Sequence, residues 1–260
     1  MNYKTQTSKD GTIKITYKEG YHSVIIPSKD EKNALCVSCQ IGCPVGCKFC
    51  FSGKSFKRNL TAGEIIEQFE TAKKIIGKNP NTIVFMGMGE PSLNLKEVEK
   101  AADYFHKYPV ELGYNHITLS TPGIKNLDKL ADLPYAIAIS LHSPFDARRK
   151  ELVNSNIKVR DLVKFASKCV KSRNKRTILI QYSLIKDFND RDQDLKKLIS
   201  FKWPKQTMFN LIEFNELGKL KQADPEAFQR FREGIIKAGW KCFTRMARGR
   251  DIEAACGMLE

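Results

Sequence analysis

Eight cysteines supply the most reactive side chains in this sequence, and five of them, Cys36, Cys39, Cys43, Cys47 and Cys50, crowd into one short segment. Cys43, Cys47 and Cys50 follow a C-x3-C-x2-C spacing. Three thiolates on so tight a loop can hold three irons of a [4Fe-4S] cluster, which leaves the fourth iron without a protein ligand and open to chemistry. Zinc normally takes four ligands, and no C-x2-C or H-x3-H pair elsewhere supplies the remainder convincingly, so the spacing favours the cluster. The other three cysteines, Cys169, Cys242 and Cys256, are scattered.

A second set of candidates sits where β-rich runs stop. Gly87-Met88-Gly89-Glu90-Pro91 closes the apolar run Thr82-Ile83-Val84-Phe85-Met86. Glycines there permit close approach to the backbone, and a carboxylate can pair with an ammonium group. Ser120, Ser140, Leu141 and His142 end two further runs, and Asn215 follows a third. On residue type alone, a Ser or Asn at a strand end reads as a turn or cap, and His142 as a structural hydrogen-bonding group.

These positions imply elements to carry them. Short β-rich runs at residues 82–86, 116–120, 135–141, 177–184 and 208–214 alternate with amphipathic helical patterns. Thr61 and Glu64 form a capping-box signature opening a helix to Ile76, with Ile65, Phe69, Ala72 and Ile76 on one face. Further helices are expected over residues 95–106, 159–172, 190–201 and 225–238. Repeated βα units imply an α/β fold with a parallel sheet, either doubly wound or a barrel. Residues 1–33 differ, with strand patterns at 12–17 and 23–26 that predict a short N-terminal β extension before a core spanning 34–260.

Composition narrows the class. A chain of 260 residues, 42% hydrophobic and 28% charged, is an ordinary globular one rather than a disordered one. Its longest apolar stretches fall far short of the roughly 20 residues that a membrane helix needs. The N-terminus has no apolar core behind Lys4 and does not read as a secretory signal, so a cytoplasmic location is expected. In that reducing compartment, clustered cysteines point to metal or catalysis before disulfides. Lysine and arginine exceed acidic residues to give a net charge of +15, which favours a polyanionic partner such as RNA over a merely solubilising surface. Eleven basic residues fall between Phe145 and Arg176 against three acidic ones, so this segment is expected to carry positive potential.

The motifs together resemble a known family. C-x3-C-x2-C is the signature of the radical S-adenosylmethionine enzymes. Leu35-Cys36-Val37-Ser38-Cys39-Gln40-Ile41-Gly42-Cys43, Arg58-Asn59-Leu60-Thr61-Ala62-Gly63-Glu64-Ile65, Met86-Gly87-Met88-Gly89-Glu90-Pro91, Thr118-Leu119-Ser120-Thr121, Ile139-Ser140-Leu141-His142 and Arg248-Gly249-Arg250-Asp251-Ile252-Glu253-Ala254-Ala255-Cys256-Gly257 resemble, in order, the RlmN/Cfr adenine methylases. The resemblance covers roughly residues 21–258. It implies a partial (βα)6 TIM-like barrel, with the cluster loop after its first strand at the C-terminal mouth, where barrel chemistry sits.

By the same resemblance, Cys43, Cys47 and Cys50 bind the [4Fe-4S] cluster, and Gly89, Glu90, Ser120, Ser140, Leu141, His142 and Asn215 contact S-adenosylmethionine. The substrate implied is an adenine of ribosomal or transfer RNA. Cys256 takes a methyl group from one S-adenosylmethionine, and a second is cleaved reductively to a 5′-deoxyadenosyl radical that activates the thioether methyl for addition to the ring. Cys36 is the base, and its thiol then releases Cys256 by forming a disulfide that a thiol reductant must reopen. An electron donor such as flavodoxin or ferredoxin is also implied.

Three features depart from the family pattern. RlmN-type enzymes usually carry a sizeable N-terminal helical domain, whereas about 33 residues precede the core motifs here, which suggests a short form. His22 stands where relatives often have a glutamate, and Cys39 where a serine is usual. Arg248-Gly249 resembles the RlmN branch, favouring carbon-2 of adenine over carbon-8. Two other readings remain open: a radical enzyme acting on a small molecule or peptide, and a non-catalytic iron-sulfur protein that binds RNA or senses redox state.

Overall fold

A polar strand comes first. Tyr3–Thr7 (β1) leaves four of its five side chains exposed and pairs antiparallel with Ile13–Tyr17 (β2), an inner strand that buries Lys14, Ile15 and Tyr17. β2 pairs antiparallel with His22–Pro27 (β3), and β3 with Asn33–Cys36 (β4). Gln40–Gly42 (β5) and Phe56–Asn59 (β6) form a separate two-stranded antiparallel ribbon. β4 then pairs parallel with Thr82–Phe85 (β7), and β7 with Ile117–Thr121 (β8). Parallel neighbours need a crossover, which Ala62–Ile76 (α1) and Leu95–His106 (α2) provide.

The computed structural model describes residues 2–28, 32–107, 110–172 and 177–260. They divide into two units, one of Met1–Gly46, Cys50–Ser120 and Arg248–Glu260, the other of Cys47–Phe49 and Thr121–Ala247. In the second unit Ala136–Ser140 (β9), Ile178–Leu184 (β10), Thr207–Glu213 (β11) and Lys241–Arg245 (β12) pair in that order, all parallel. Leu127–Asp132 (α3) precedes β9, and Asp146–Leu152 (α4) with Val159–Ser172 (α5) links β9 to β10. Asp192–Ser200 (α6) and Pro225–Lys237 (α7) make the remaining connections. Six parallel strands, β4 and β7 to β11, are thus each followed by helix before the next parallel strand.

Local chemistry explains where the helices begin. The Thr61 hydroxyl accepts from the Glu64 N–H at 3.3 Å while the Glu64 carboxylate accepts from the Thr61 N–H at 2.8 Å. A cap of this kind is worth about 1 kcal/mol. Arg58 grips the same carboxylate at 2.6 and 2.9 Å, and that hydrogen bonding holds Glu64 down to about 2 despite partial burial. α1 ends at Gly77, whose φ of 72° fits the left-handed cap that glycine favours. The inward face of α1 holds Ile65, Phe69 and Ala72 as its periodicity predicts, while Ile76 is only half-buried.

Several elements escape periodicity. β6 exposes all four of its side chains, and β12 has only Cys242 and Arg245 even half-buried, so neither shows a two-residue alternation. α4 is short and buries Arg149, a residue type that patterning assigns to solvent.

A buried carboxylate organises the second unit. Asp194 is fully enclosed, with Arg148 Nη1 at 3.1 Å on one oxygen and Arg191 Nε at 2.9 Å on the other. Removing the carboxylate takes away the shared partner of Arg148 and Arg191, which are each about one-third exposed and keep some contact with water. Asp194→Ala should therefore destabilise the protein by about 2 kcal/mol, measured by chemical denaturation.

Candidate active site

Cys36 is the last residue of β4, buried, with Val24 and Val84 as its register partners on either side. Beyond it the chain locks onto the end of β7. The Val37 N–H donates to Val84 O at 3.0 Å, the Cys39 N–H to Met88 O at 2.9 Å, and the Met88 N–H to the Ser38 hydroxyl at 2.8 Å. Gln40 Oε1 accepts from the Glu90 N–H at 2.9 Å. Neither glycine of the motif has room for a side chain. A Cβ on Gly87 would lie 2.7 Å from Ser38 Oγ, and one on Gly89, whose φ is +104°, would lie 2.7 Å from Gln40 Cβ. These glycines are therefore required first by the packing of the protein on itself.

The interlock brings the motif to the cysteine loop. Backbone N–H groups of Val45 and Gly89 donate to the Cys43 sulfur, and those of Ser52 and Gly53 to the Cys50 sulfur. Burial raises both thiols, Cys43 to about 12, and each also feels the other sulfurs nearby, Cys43 through Cys50 and Cys50 through Cys256. Glu90 is 2% exposed, lies close enough to Cys39 and Cys43 to raise both thiols, and accepts from the Ser92 N–H at 3.2 Å. Cys39 is buried, and desolvation pushes its thiol well above the ordinary range.

Cys256 is exposed, on a segment stitched to the residues after Cys50. The Phe51 N–H donates to Gly257 O at 2.8 Å and the Ser52 hydroxyl to Leu259 O at 2.6 Å. No disulfide joins any of the described cysteines, Cys36 and Cys256 included. Ser120 is half-buried within β8.

The second unit holds the remaining candidates. Cys47 and Phe49 pack against a cluster of Leu152, Val153, Ile185 and Phe214, and the Lys48 N–H donates to Leu152 O at 2.9 Å. Ser140 donates from its hydroxyl to Gln181 Oε1 at 3.1 Å. Leu141 is fully buried and its N–H donates to Gln181 O at 3.0 Å. Asn215 follows β11 and is half-buried. His142 has a left-handed backbone, with φ of 53°, and its Nδ1 accepts from the Ser183 N–H at 3.1 Å. Phe49 meets the ring edge-on at 4.7 Å between centroids. Burial first, then the Arg149 charge, lowers the imidazole to about 3. It is neutral at working pH.

Among its described residues, the basic segment carries less open charge than its composition suggests. Arg149 is 1% exposed, with Nη1 on Ile157 O at 3.1 Å and Nη2 on Pro122 O. Arg148 is committed to Asp194, Lys164 to Asp161 at 3.3 Å and Lys168 to Asp128 at 2.7 Å. Lys150, Lys158 and Lys171 are exposed, and Arg173, Lys175 and Arg176 lie outside the described residues. Sequence reasoning missed the exposed strand β6, where Phe56 is 46% exposed beside Lys57 and Arg58, because the run has no periodicity to announce it.

Residues 37–199 match the radical SAM superfamily. A probable dual-specificity RNA methyltransferase RlmN of Akkermansia muciniphila is 40% identical over 253 residues, 91% of this chain and 70% of that protein. Another, from Pseudothermotoga lettingae, is 37% identical over 268 residues, 98% of this chain and 78% of its own length. The chain belongs to the radical SAM superfamily and, within it, to the RlmN family. The crystal structure of a radical SAM methyltransferase from Sphaerobacter thermophilus superposes with a TM-score of 0.90 at 32% identity, over all of this chain and 82% of the other. The fold is accordingly the α/β partial (βα)6 barrel of that superfamily, with β1 to β3 as its N-terminal β extension.

Membership implies a [4Fe-4S] cluster and S-adenosylmethionine. Among the described residues no three His, Cys, Asp or Glu side chains are gathered closely enough to hold a metal ion. A cluster asks less, because each thiolate binds its own iron. The donor set suits it: Cys43 and Cys50 each accept two backbone N–H groups, which stabilise the thiolate form that iron requires. No described helix is long and apolar enough to cross a membrane.

His142 gives a test of these environments. Its imidazole binds no proton in the folded state until about pH 3, whereas the unfolded chain protonates it near 6.5. Between those values the unfolded state binds more protons, so its contribution makes stability fall as pH drops, by about 1.4 kcal/mol per unit. His142→Asn, which tolerates the left-handed backbone, should flatten that dependence between pH 6.5 and 4 in denaturant titrations.

Proposed function

We propose that the chain is a radical S-adenosylmethionine methyltransferase that methylates an adenine ring carbon in ribosomal or transfer RNA. The observation that carries this reading is the placement of Cys256, whose segment is hydrogen-bonded to Phe51 and Ser52 and whose thiol lies close enough to add to the burial that raises Cys50. A thiol beside the cysteine loop can exchange groups with what that loop binds. The two curated relatives, both named as RNA methyltransferases, support RNA as the acceptor.

In this assignment Cys43, Cys47 and Cys50 hold the cluster, which when bound supplies the electron that cleaves S-adenosylmethionine to a 5′-deoxyadenosyl radical. Gly89, Glu90, Ser120, Ser140, Leu141, His142 and Asn215 hold S-adenosylmethionine. His142 Nδ1 already accepts from Ser183, its N–H donates to Gln181 O at 3.4 Å and its carbonyl accepts from Asn189 at 2.6 Å, so this contact would fall to Nε2. Carbon-2 of adenine is electron-poor and offers no acidic proton, so a polar methyl transfer fails there and a radical route is needed. The Cys256 sulfur would first take the methyl group of one S-adenosylmethionine by displacement, with S-adenosylhomocysteine as the leaving group. Its thioether methyl would then give a hydrogen atom to the 5′-deoxyadenosyl radical, forming 5′-deoxyadenosine, and add to the ring as a carbon radical, the adduct returning one electron to the oxidised cluster. Cys36 would take the ring proton, and its thiolate would attack the Cys256 sulfur, breaking the carbon–sulfur bond so that the freed methylene carbon takes a proton; methylated RNA would leave and a disulfide would remain for a thiol reductant. Carbon-2 is assigned over carbon-8 on the Arg248-Gly249 pair.

The target adenine must be unstacked to reach such a site, so loops or single strands are the expected substrates. The test is to incubate anaerobically reconstituted protein with reductant, S-adenosylmethionine and RNA, then digest the RNA for mass spectrometry. Wild type should yield methyladenosine, and Cys256→Ala none. Normal product from that variant would overturn the thioether route, and turnover indifferent to competing RNA would favour a small-molecule or peptide acceptor. RNA binding should weaken steeply with added salt as phosphate contacts release counterions.

A further inference from the structure

The N-terminal β extension has no part in the chemistry assigned above, yet it holds the segment that carries Cys256. The turn between β1 and β2 presents two carboxylate contacts to residues 249–251. Asp10 Oδ1 accepts from the Thr12 N–H at 2.9 Å within the turn, and its Oδ2 accepts from the Gly249 N–H at 3.0 Å. In return, Asp251 accepts from the Ser8 hydroxyl at 2.5 Å and from the Lys9 N–H at 3.2 Å. Although burial alone would raise Asp10, its bonds to Thr12, Gly249 and Ser8 hold it down to about 2.

The fit is close as well as polar. Gly249 has φ of +69°, and a Cβ there would lie 2.9 Å from Ala254 Cβ and 3.0 Å from Thr12 Cγ2. Gly249 O in turn accepts the Ala254 N–H at 2.8 Å, which closes a tight loop two residues before Cys256. Further along, β3 holds the far side of the same segment, with His22 Nε2 2.6 Å from Glu260 O and His22 Nδ1 3.0 Å from the Thr16 hydroxyl. Arg248 Nη1 donates to Pro27 O at 3.2 Å. The Cys256 side chain is exposed between these anchors, while Ala254, Ala255 and Leu259 are buried.

We infer that the turn at residues 8–12 is a clasp, with Asp10 and Ser8 as positioning residues that fix the loop carrying the Cys256 thiol. The inference deepens the assignment of Cys256 above and rests on it for its catalytic consequence. An exposed thiol on an untethered loop would sample many positions, and a displacement reaction needs the sulfur in line with the methyl group it takes. Holding the loop by groups that touch neither cofactor nor substrate supplies that order at a distance.

The experiment compares the reconstituted full-length protein with Asp10→Asn and with Ser8→Ala, which removes a single hydroxyl if the first variant fails to fold. Four quantities are read: amide hydrogen exchange at Gly249 and Ala254, the rate of Cys256 alkylation by iodoacetamide, methylation of Cys256 by S-adenosylmethionine without reductant, and reductive release of 5′-deoxyadenosine. Exchange and alkylation should each rise several-fold, Cys256 methylation should slow about tenfold, and 5′-deoxyadenosine release should stay within about twofold of wild type. A general loss of structure would instead lower both reactions together. Unchanged exchange at Gly249 and Ala254, or faster exchange with Cys256 methylation at the wild-type rate, would overturn the clasp. Should wild-type protein neither methylate Cys256 nor release 5′-deoxyadenosine, the proposed function fails, and exchange with alkylation alone decides whether the turn holds the loop.

Discussion

Two backbone segments, 37–40 and 87–90, lie so close that neither Gly87 nor Gly89 can bear a side chain, and most of the first unit's candidate chemistry depends on that contact. The hydrogen bonds across it join the end of β4 to the end of β7, so both strands deliver their next residues to one place. Gly89 then has its N–H turned to the Cys43 sulfur, and Glu90 is held under cover by Gln40 and Ser92. The ribbon of β5 and β6 obeys the same rule. A Cβ on Gly42, at φ +74°, would fall 2.0 Å from the Ser55 carbonyl oxygen, and the Cys43 N–H donates to that oxygen at 2.8 Å. Glycines that look like ligand-approach sites in the sequence are first the places where the chain crosses itself, and the sulfur geometry follows from those crossings.

How much of this was legible in the sequence depends on the range of the interaction. Sulfur at C-x3-C-x2-C spacing is local and chemically distinctive, so the cysteine loop could be read directly. Helices with one strongly apolar face were readable nearly to the residue, as α2 and α5 show. β1 and β6 were not, because an edge strand with both faces in water needs no alternation. Nor was the Asp10–Gly249 contact, which joins residues 239 apart through an ordinary turn aspartate. His142 was flagged by type and position, but its left-handed backbone and its hydrogen bond from Ser183 could be learned only from the fold.

Net charge misleads in a related way. An excess of +15 describes the chain, whereas a phosphate backbone meets only the cations that face outward without a nearer carboxylate. Within the segment once counted as eleven basic residues, Arg149 is enclosed, Arg148 is spoken for by Asp194, and Lys168 reaches Asp128 on another helix. Arg149 is informative in its own right. Its guanidinium is wrapped by backbone carbonyls, lies near Cys47, and helps keep His142 neutral. A cation buried for such purposes adds to the composition without adding to the surface field.

Burial also sorts the cysteines, which composition alone cannot do. Cys39 and Cys169 are enclosed, and desolvation pushes the Cys39 thiol well above its ordinary range, which disfavours its thiolate. That favours the inert reading of Cys39, a residue whose place next to the cluster loop invites a more active one. Cys43 and Cys50 are also disfavoured as bare thiolates by burial, but backbone N–H groups are already turned toward their sulfurs, so iron binding and deprotonation would be coupled there. Cys256 alone of the eight is classed as exposed, and it is held on a segment anchored from both sides. A thiol that must take a group from one reactant and pass it to another needs access to both, together with a fixed approach. Exposure gives the first, and the anchors at Gly249 and Glu260 give the second.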